Sequence, residues 1–342
     1  MSRGRSLALL FLSTSLLPSC GNNSANPFAQ VSPSRPPAAD AVLLFVSGSW
    51  AGLAGAPREL FAVNADGSQV ERLTTCTQTE QPCDILTFSP SNDRSRIAVV
   101  RTTPDAEPGT AALYFMDLGR SVETVITDQR RVGAVDWSRG GTALIFSAAD
   151  PVGNEDLYTI EPNGANEQVL FGQMLSRERN PRFNPNGSTA IFEGISNEAP
   201  GTIAVLAPSA TGLTAVLLTP GGDASQPLSG TPYFVGSDAD PSYAPDASGA
   251  VFRRLTSTGN GGLGTWDLLV VRSTDEDATP VLTGGSVYRG APDWGPDGIV
   301  FVEIDADADL ARLVVIQPDG SGRRVLFVED AGYRMASPRW LR

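Results

Sequence analysis

The chain has 342 residues, 41% hydrophobic and 18% charged, which are the proportions of a folded chain. Its net charge is −13, and it contains neither histidine nor lysine, so all 25 basic residues are arginine. That composition opposes binding to nucleic acid or to anionic lipid headgroups. It also removes Ser-His-Asp and Cys-His catalysis, imidazole metal ligands, Schiff-base lysines and the phosphate-loop lysine.

Residues 1–19 read as an export leader. Arg3 and Arg5 make a positive start, and residues 7–17 form an apolar stretch too short to span a bilayer. The stretch ends in Leu17-Pro18-Ser19-Cys20, which resembles the bacterial lipobox, with Pro18 where a small residue is usual. The resemblance implies that the Cys20 thiol receives diacylglycerol and that the chain is cut before it, which would anchor the protein to a membrane by lipid alone. An ordinary signal peptide cut nearby would instead leave Cys20 free. Residues 20–40, rich in Asn, Ser, Pro and Ala, read as a flexible tether.

With Cys20 used in this way, Cys76 and Cys83 remain as an even pair. In an oxidising compartment they are expected to form a disulfide across a small surface loop. Two thiols without histidine cannot fill a tetrahedral zinc site.

From residue 41 a unit of about 45–60 residues repeats, the period of propeller blades. Its first marker is an aromatic residue followed in most units by a Pro/Gly/Asn turn and an apolar strand. It occurs as Phe88-Ser89-Pro90, Trp137-Ser138-Arg139-Gly140, Phe183-Asn184-Pro185, Tyr243-Ala244-Pro245 and Trp294-Gly295-Pro296, with Trp340 as the sixth aromatic. A second marker ends each unit: Leu73-Thr74, Ile126-Thr127, Leu170-Phe171, Leu218-Thr219, Leu282-Thr283 and Leu326-Phe327. Between them lie strand-like runs joined by tight turns at Asn64-Ala65-Asp66-Gly67, Pro162-Asn163-Gly164 and Gln317-Pro318-Asp319-Gly320, where Gly accepts positive φ. Four strands per unit follow.

These motifs resemble the TolB-type propeller repeat, a WD40-like (PD40) repeat, over the whole chain after the tether. The resemblance implies an all-β, six-bladed β-propeller over residues 41–342, without the α/β domain that precedes the propeller in TolB. The first unit lacks its innermost strand, and Ser337-Pro338-Arg339-Trp340 matches a first strand with nothing after it. The C-terminal strand should therefore complete the first blade, closing the ring.

The hairpins within strand pairs one–two and three–four share a face and are mostly tight. The other face carries variable connections: the Cys76–Cys83 loop, an insertion at 220–240, a Gly-rich segment at 257–265, and Asp305-Ala306-Asp307-Ala308-Asp309. Ligands are expected on that variable face or in the central channel. Alternating Asp305, Asp307 and Asp309 can converge oxygen ligands on Ca²⁺; the simpler alternative is a solvated acidic turn. No other cofactor is expected.

The tether enters on the tight-turn face. The function that follows is a non-catalytic envelope lipoprotein that binds a protein or peptide, anchored at the outer membrane and facing the periplasm or the cell surface. The alternatives are a Ca²⁺-assisted propeller hydrolase or lyase, and a passive structural surface lipoprotein. With no Gly-x-Ser-x-Gly, a serine peptidase is not expected.

Overall fold

The structure, a computed structural model, describes residues 41–49, 58–74, 84–102, 111–117, 123–150, 153–172, 177–187, 189–195, 200–209, 212–219, 226–272, 277–329 and 333–341. The leader with Cys20, the tether, and the Cys76–Cys83 loop lie outside them.

Each repeat is built around a strand that is apolar on both faces. In Glu59–Asn64, Leu60 and Ala62 point to one side and Phe61 and Val63 to the other, as the two-residue strand period requires, and all four are buried. Such a strand needs a packed sheet on each side, which a ring of blades supplies. Leu60 and Ala62 pack with Ile85, Phe88 and Ile97 of the following unit. Phe61 and Val63 pack with Val300, Val302 and Leu313 of the last unit. Similar apolar clusters join every other neighbouring pair of units.

Strand pairing gathers the described strands into four sheets of four, eleven, four and five strands, antiparallel apart from one parallel contact between Arg177 and Glu155, and the sequence repeats divide these sheets into units of about four strands. The first runs Tyr333–Trp340, Ala41–Ser49, Glu59–Asn64, Glu71–Arg72, so the C-terminal strand is its innermost member. The pairing is in register from Leu43 opposite Trp340 to Ser49 opposite Tyr333, with one bulge. The expected closure is therefore present. The innermost strands of blades two to five are Asp84–Pro90, the second half of Glu123–Trp137, Arg177–Phe183 and Asp238–Tyr243. Their outermost strands are the first half of Glu123–Trp137, Gln168–Phe171, Gly212–Leu217 and Thr279–Leu282. Blade six pairs Tyr288–Arg289 and Asp293–Gly295 with Gly298–Asp305, followed by Leu310–Ile316 and Arg324–Glu329.

Two features depart from a simple repeat. Ile126-Thr127 does not end its unit, because the 15-residue strand Glu123–Trp137 runs on from the outer edge of blade two into the centre of blade three. The inner strand of blade six is split between Arg289 and Asp293.

The predicted tight turns form. At the tip of the first, Gly67 has φ +85° and donates to Asn64 O at 2.9 Å. A Cβ there would lie 2.2 Å from the Leu326 carbonyl of blade six, so glycine is required for both conformation and packing. The equivalent turns donate from Gly164 to Glu161 O and from Gly320 to Gln317 O, each at 2.9 Å.

Candidate functional site

The inner strands carry one extra residue each, a bulge between Val132 and Val135, Arg179 and Arg182, and Ala239 and Ser242, with matching shifts in blades one and two. In three of them the residue before proline is left-handed: Asn180, Asp240 and Ser337, with φ of 49°, 51° and 49°. A bulge bends its strand and re-aims the side chains after it. Here those side chains include the residue just before each marker aromatic. Around the ring, from blade one to blade six, these are Arg339, Thr87, Asp136, Arg182, Ser242 and Asp293. All six line the axial cavities. In ring order, arginine faces arginine, hydroxyl faces hydroxyl and aspartate faces aspartate, so the axis has an approximate two-fold repeat of three blades.

Two cavities share the axis. The larger, about 450 Å³, opens among the tight turns that follow the aromatics, and every blade contributes to its wall. Trp137, Phe183, Tyr243 and Trp340 supply aromatic surface, and Pro90, Pro185, Pro245 and Pro296 form the rim. Asp136 accepts from Ser89 Oγ and from Phe183 N, both at 2.9 Å, and so buckles blade three to blades two and four. Asp293 does the same for blades five and one, accepting from Ser242 Oγ and Trp340 N, again at 2.9 Å. The guanidinium contacts to these acids are longer, 3.9 Å from Arg182 to Asp136 and 3.5 Å from Arg339 to Asp293. Hydrogen bonds from Asn92 Nδ2 to Arg139 O and from Arg139 Nη1 to Pro185 O tie the rim turns of blades two to four.

The smaller cavity, about 300 Å³, lies further along the axis, with Arg182 and Arg339 lining both. Behind its wall is Glu193, whose side chain has no solvent exposure. Asn180 Nδ2 bridges Glu193 Oε2 at 2.8 Å and Asp240 Oδ1 at 2.7 Å. Burial first, and the neighbouring Asp240 second, push the Glu193 carboxyl up to about 7. Arg253 Nε donates to Asp240 Oδ2 at 2.5 Å, and its guanidinium stacks over Trp266 at 3.8 Å. Arg179 is held by Glu155.

The 220–240 insertion, expected to be a surface loop, contributes instead to this interior. Its described part is a small hairpin with Pro227 bridged to Phe234 and Leu228 buried. It places Tyr233 against the cavity, with its ring edge-on to Trp266 at 5.2 Å. Burial, together with Glu193 and Asp240, raises the Tyr233 phenol well above its ordinary range.

Asp305, Asp307 and Asp309 lie where expected, in the turn joining Gly298–Asp305 to Leu310–Ile316 on the variable face. The structure does not gather them around a cation. Asp305 Oδ1 accepts from Ala308 N at 3.0 Å, closing its own turn, and Asp309 adopts φ 50°. Among the described residues, no three His, Cys, Asp or Glu side chains are placed to hold a metal.

The central channel was an expected ligand site, but its lining residues were not named from the sequence. Their signal was present: the residue preceding each aromatic marker reads Thr, Asp, Arg, Ser, Asp, Arg in chain order.

No family model matches the chain, and no curated protein matches it in sequence. Among solved structures, TolB from Acinetobacter baumannii aligns with a TM-score of 0.66 over 88% of this chain at 18% identity. The fold is a TolB-like β-propeller. The chain spans 66% of the length of that A. baumannii protein, and no helix occurs among the residues described here for the chain. A putative TolB from Agrobacterium tumefaciens aligns at TM-score 0.59 and 15% identity, covering 88% of this chain and 99% of that one. A chain of a nidogen/laminin complex aligns at TM-score 0.59 and 10% identity, covering 86% and 98%.

Proposed function

We propose that this protein is a non-catalytic envelope lipoprotein, anchored through Cys20, whose propeller binds a protein or peptide segment at the axial mouth. The observation that carries this reading is the mouth itself: a cavity of about 450 Å³ whose wall takes residues from every blade, aromatic within and proline-rimmed. A concave, mostly apolar surface with few fixed polar groups is what a recognition site requires. Its two aspartates each accept two hydrogen bonds from neighbouring blades, and that linking role supports the reading.

Of the two expected places, the variable face and the central channel, this is the channel, at its tight-turn end. That is also the face where the chain enters the propeller, since Ala41–Ser49 runs from the tight turns inward beside Tyr333–Trp340. A tether of about 20 residues spans roughly 25 Å as a random coil, which would hold the mouth within reach of a membrane-proximal partner at the outer membrane.

Site-specific photocrosslinking tests the reading. A photoreactive residue at Asn92, Pro185 or Pro296 on the rim should yield a discrete envelope-protein adduct in intact cells. The same residue at exposed Val169, on the outer edge of blade three, should not. Absence of adducts from all three rim positions, or identical adducts from Val169, would overturn the assignment.

A further inference from the structure

We propose that two copies of this chain associate edge to edge through Gly212–Leu217, the outermost strand of blade four. This strand ends its sheet, pairing with Thr202–Ser209 on one side and with no described strand on the other. An open edge is a template for a further strand, and proteins guard such edges with short strands, charges or proline. The other blades here are guarded. The outer strand of blade one is the two charged residues Glu71–Arg72, and that of blade two runs on into blade three. Those of blades three and five have four residues each, the latter with Pro280, and that of blade six is bounded by Arg324 and Glu329. The strand Gly212–Leu217 has six residues and none of these devices. No Asp, Glu or Arg occurs anywhere from 199 to 222, in a chain that is 18% charged. Leu213, Val216 and Leu217 are 39%, 52% and 51% exposed, half of the large apolar side chains exposed among the described residues.

The register of this hairpin fixes which backbone groups face outward. Leu218 N donates to Ile203 O at 2.7 Å, continuing the ladder in which Val216 stands opposite Val205 and Thr214 opposite Ala207. Antiparallel pairs alternate between bonded and non-bonded positions. Thr214 and Val216 therefore turn their N–H and C=O toward the inner neighbour, and Leu213, Ala215 and Leu217 turn theirs outward. The segment Leu213-Thr214-Ala215-Val216-Leu217 is also close to a palindrome. Laid antiparallel on a second copy with the two-fold axis at Ala215, Leu213 falls opposite the partner's Leu217, Ala215 opposite the partner's Ala215, and Thr214 opposite the partner's Val216. The outward-facing residues then meet only one another and exchange both N–H···O bonds at each pair. Apolar and β-branched side chains meet across the seam, and the contact closes on itself as a two-fold interface.

Charge selects a second copy as the occupant. Chains of net charge −13 repel each other over most of their surface, and approach is least opposed where charge is missing. An edge without charge offers no ion pair to a partner of either sign, whereas its residue order is complementary to itself. The strand is about 20 Å long, and a seam of one strand pair is narrow beside the roughly 1,200–2,000 Å² of a stable complex. The dimer is therefore reversible and concentration-dependent.

Sedimentation equilibrium of the full chain in density-matched detergent, from roughly 1 to 300 µM, should show a reversible monomer–dimer equilibrium. Thr214 and Val216 are both exposed, so replacing them leaves the core intact. Thr214→Glu combined with Val216→Glu sets like charges opposite each other twice across the two-fold axis and should weaken dimerisation at least tenfold. Thr214→Arg combined with Val216→Glu sets opposite charges in the same places and should dimerise at least as well as the unaltered chain. Circular dichroism melts matching the unaltered chain establish that both variants fold. A chain that stays monomeric throughout, a dimer undiminished by the first double variant, or a second double variant that dissociates as the first does would each overturn the proposal. In intact cells, a photoreactive residue at Val216 should yield an adduct of twice the chain mass. An adduct with a different protein and none with itself would assign the edge to another occupant and overturn it.

Discussion

Trp340 holds the ring shut, and its replacement measures what closure is worth. The side chain is 1% exposed and packs with Val300, Val302, Leu313 and Met335 at the junction of blades six and one. Its indole N–H donates to Gly298 O at 3.0 Å, and its amide donates to Asp293 at 2.9 Å. Truncating a buried tryptophan to alanine costs about 3–5 kcal/mol. Leaving the Gly298 carbonyl without its donor costs about 1–3 kcal/mol, part of which the first figure already contains. Trp340→Ala should therefore lose about 4–5 kcal/mol, a large share of the roughly 5–15 kcal/mol typical of a folded domain. Trp340→Phe keeps most of the ring contact and loses the N–H, so about 1–2 kcal/mol is expected. Gly295 tests the same contact from beneath. A Cβ there would sit 2.1 Å from the indole Cδ1, so Gly295→Ala should destabilise by about 1–3 kcal/mol. Urea unfolding followed by circular dichroism gives all three values. A loss below about 1 kcal/mol for Trp340→Ala, or a chain truncated after Gly332 that unfolds like the full one, would refute the closure argument.

Glu193 predicts a pH dependence. Its folded pKa, raised by burial and Asp240 to about 7, exceeds the ordinary 4.5, so the folded state holds a proton that the unfolded state releases. This contribution to stability is fully present below about pH 4.5 and is lost as pH rises through about 7, by up to about 3 kcal/mol. Glu193→Gln should flatten that slope between pH 5 and 8 when melting is compared across the range; an unchanged slope would place the titration elsewhere. The three cysteines predict a mass and a labelling pattern. Detergent-extracted protein should begin at Cys20 with added lipid mass, and iodoacetamide should modify neither Cys76 nor Cys83 before reduction. A soluble form starting elsewhere, or alkylation of both thiols in the native state, would contradict these assignments.

The architecture was legible because blade-forming information is local. The apolar run Leu60-Phe61-Ala62-Val63, an aromatic before the turn in most units and a glycine at several tight tips all act within one strand pair. Six copies in register leave little choice of fold. Even the long-range closure was readable, since a first unit without an inner strand and a last strand without a blade complete each other. The site was less legible for the opposite reason. Arg182 meets Asp136, and Arg339 meets Asp293, across 46 residues of sequence, because inner strands of successive blades converge on one axis. Only that convergence turns Glu193, a single acid in the apolar strand Ala190–Ile195, into a buried carboxyl bridged through Asn180 to Asp240. Tyr233, from an insertion with no repeat pattern, finds Trp266 and the axial cavity by tertiary packing alone. Asp305, Asp307 and Asp309 show the converse. Their spacing suggested convergence, but Asp305 closes on its own backbone, and among the described residues no three such side chains are placed to hold a metal. Local pattern thus determines which strands form and how they pair. Which polar side chains share the axis, and in what charge state, is decided only once six separate strands stand around it.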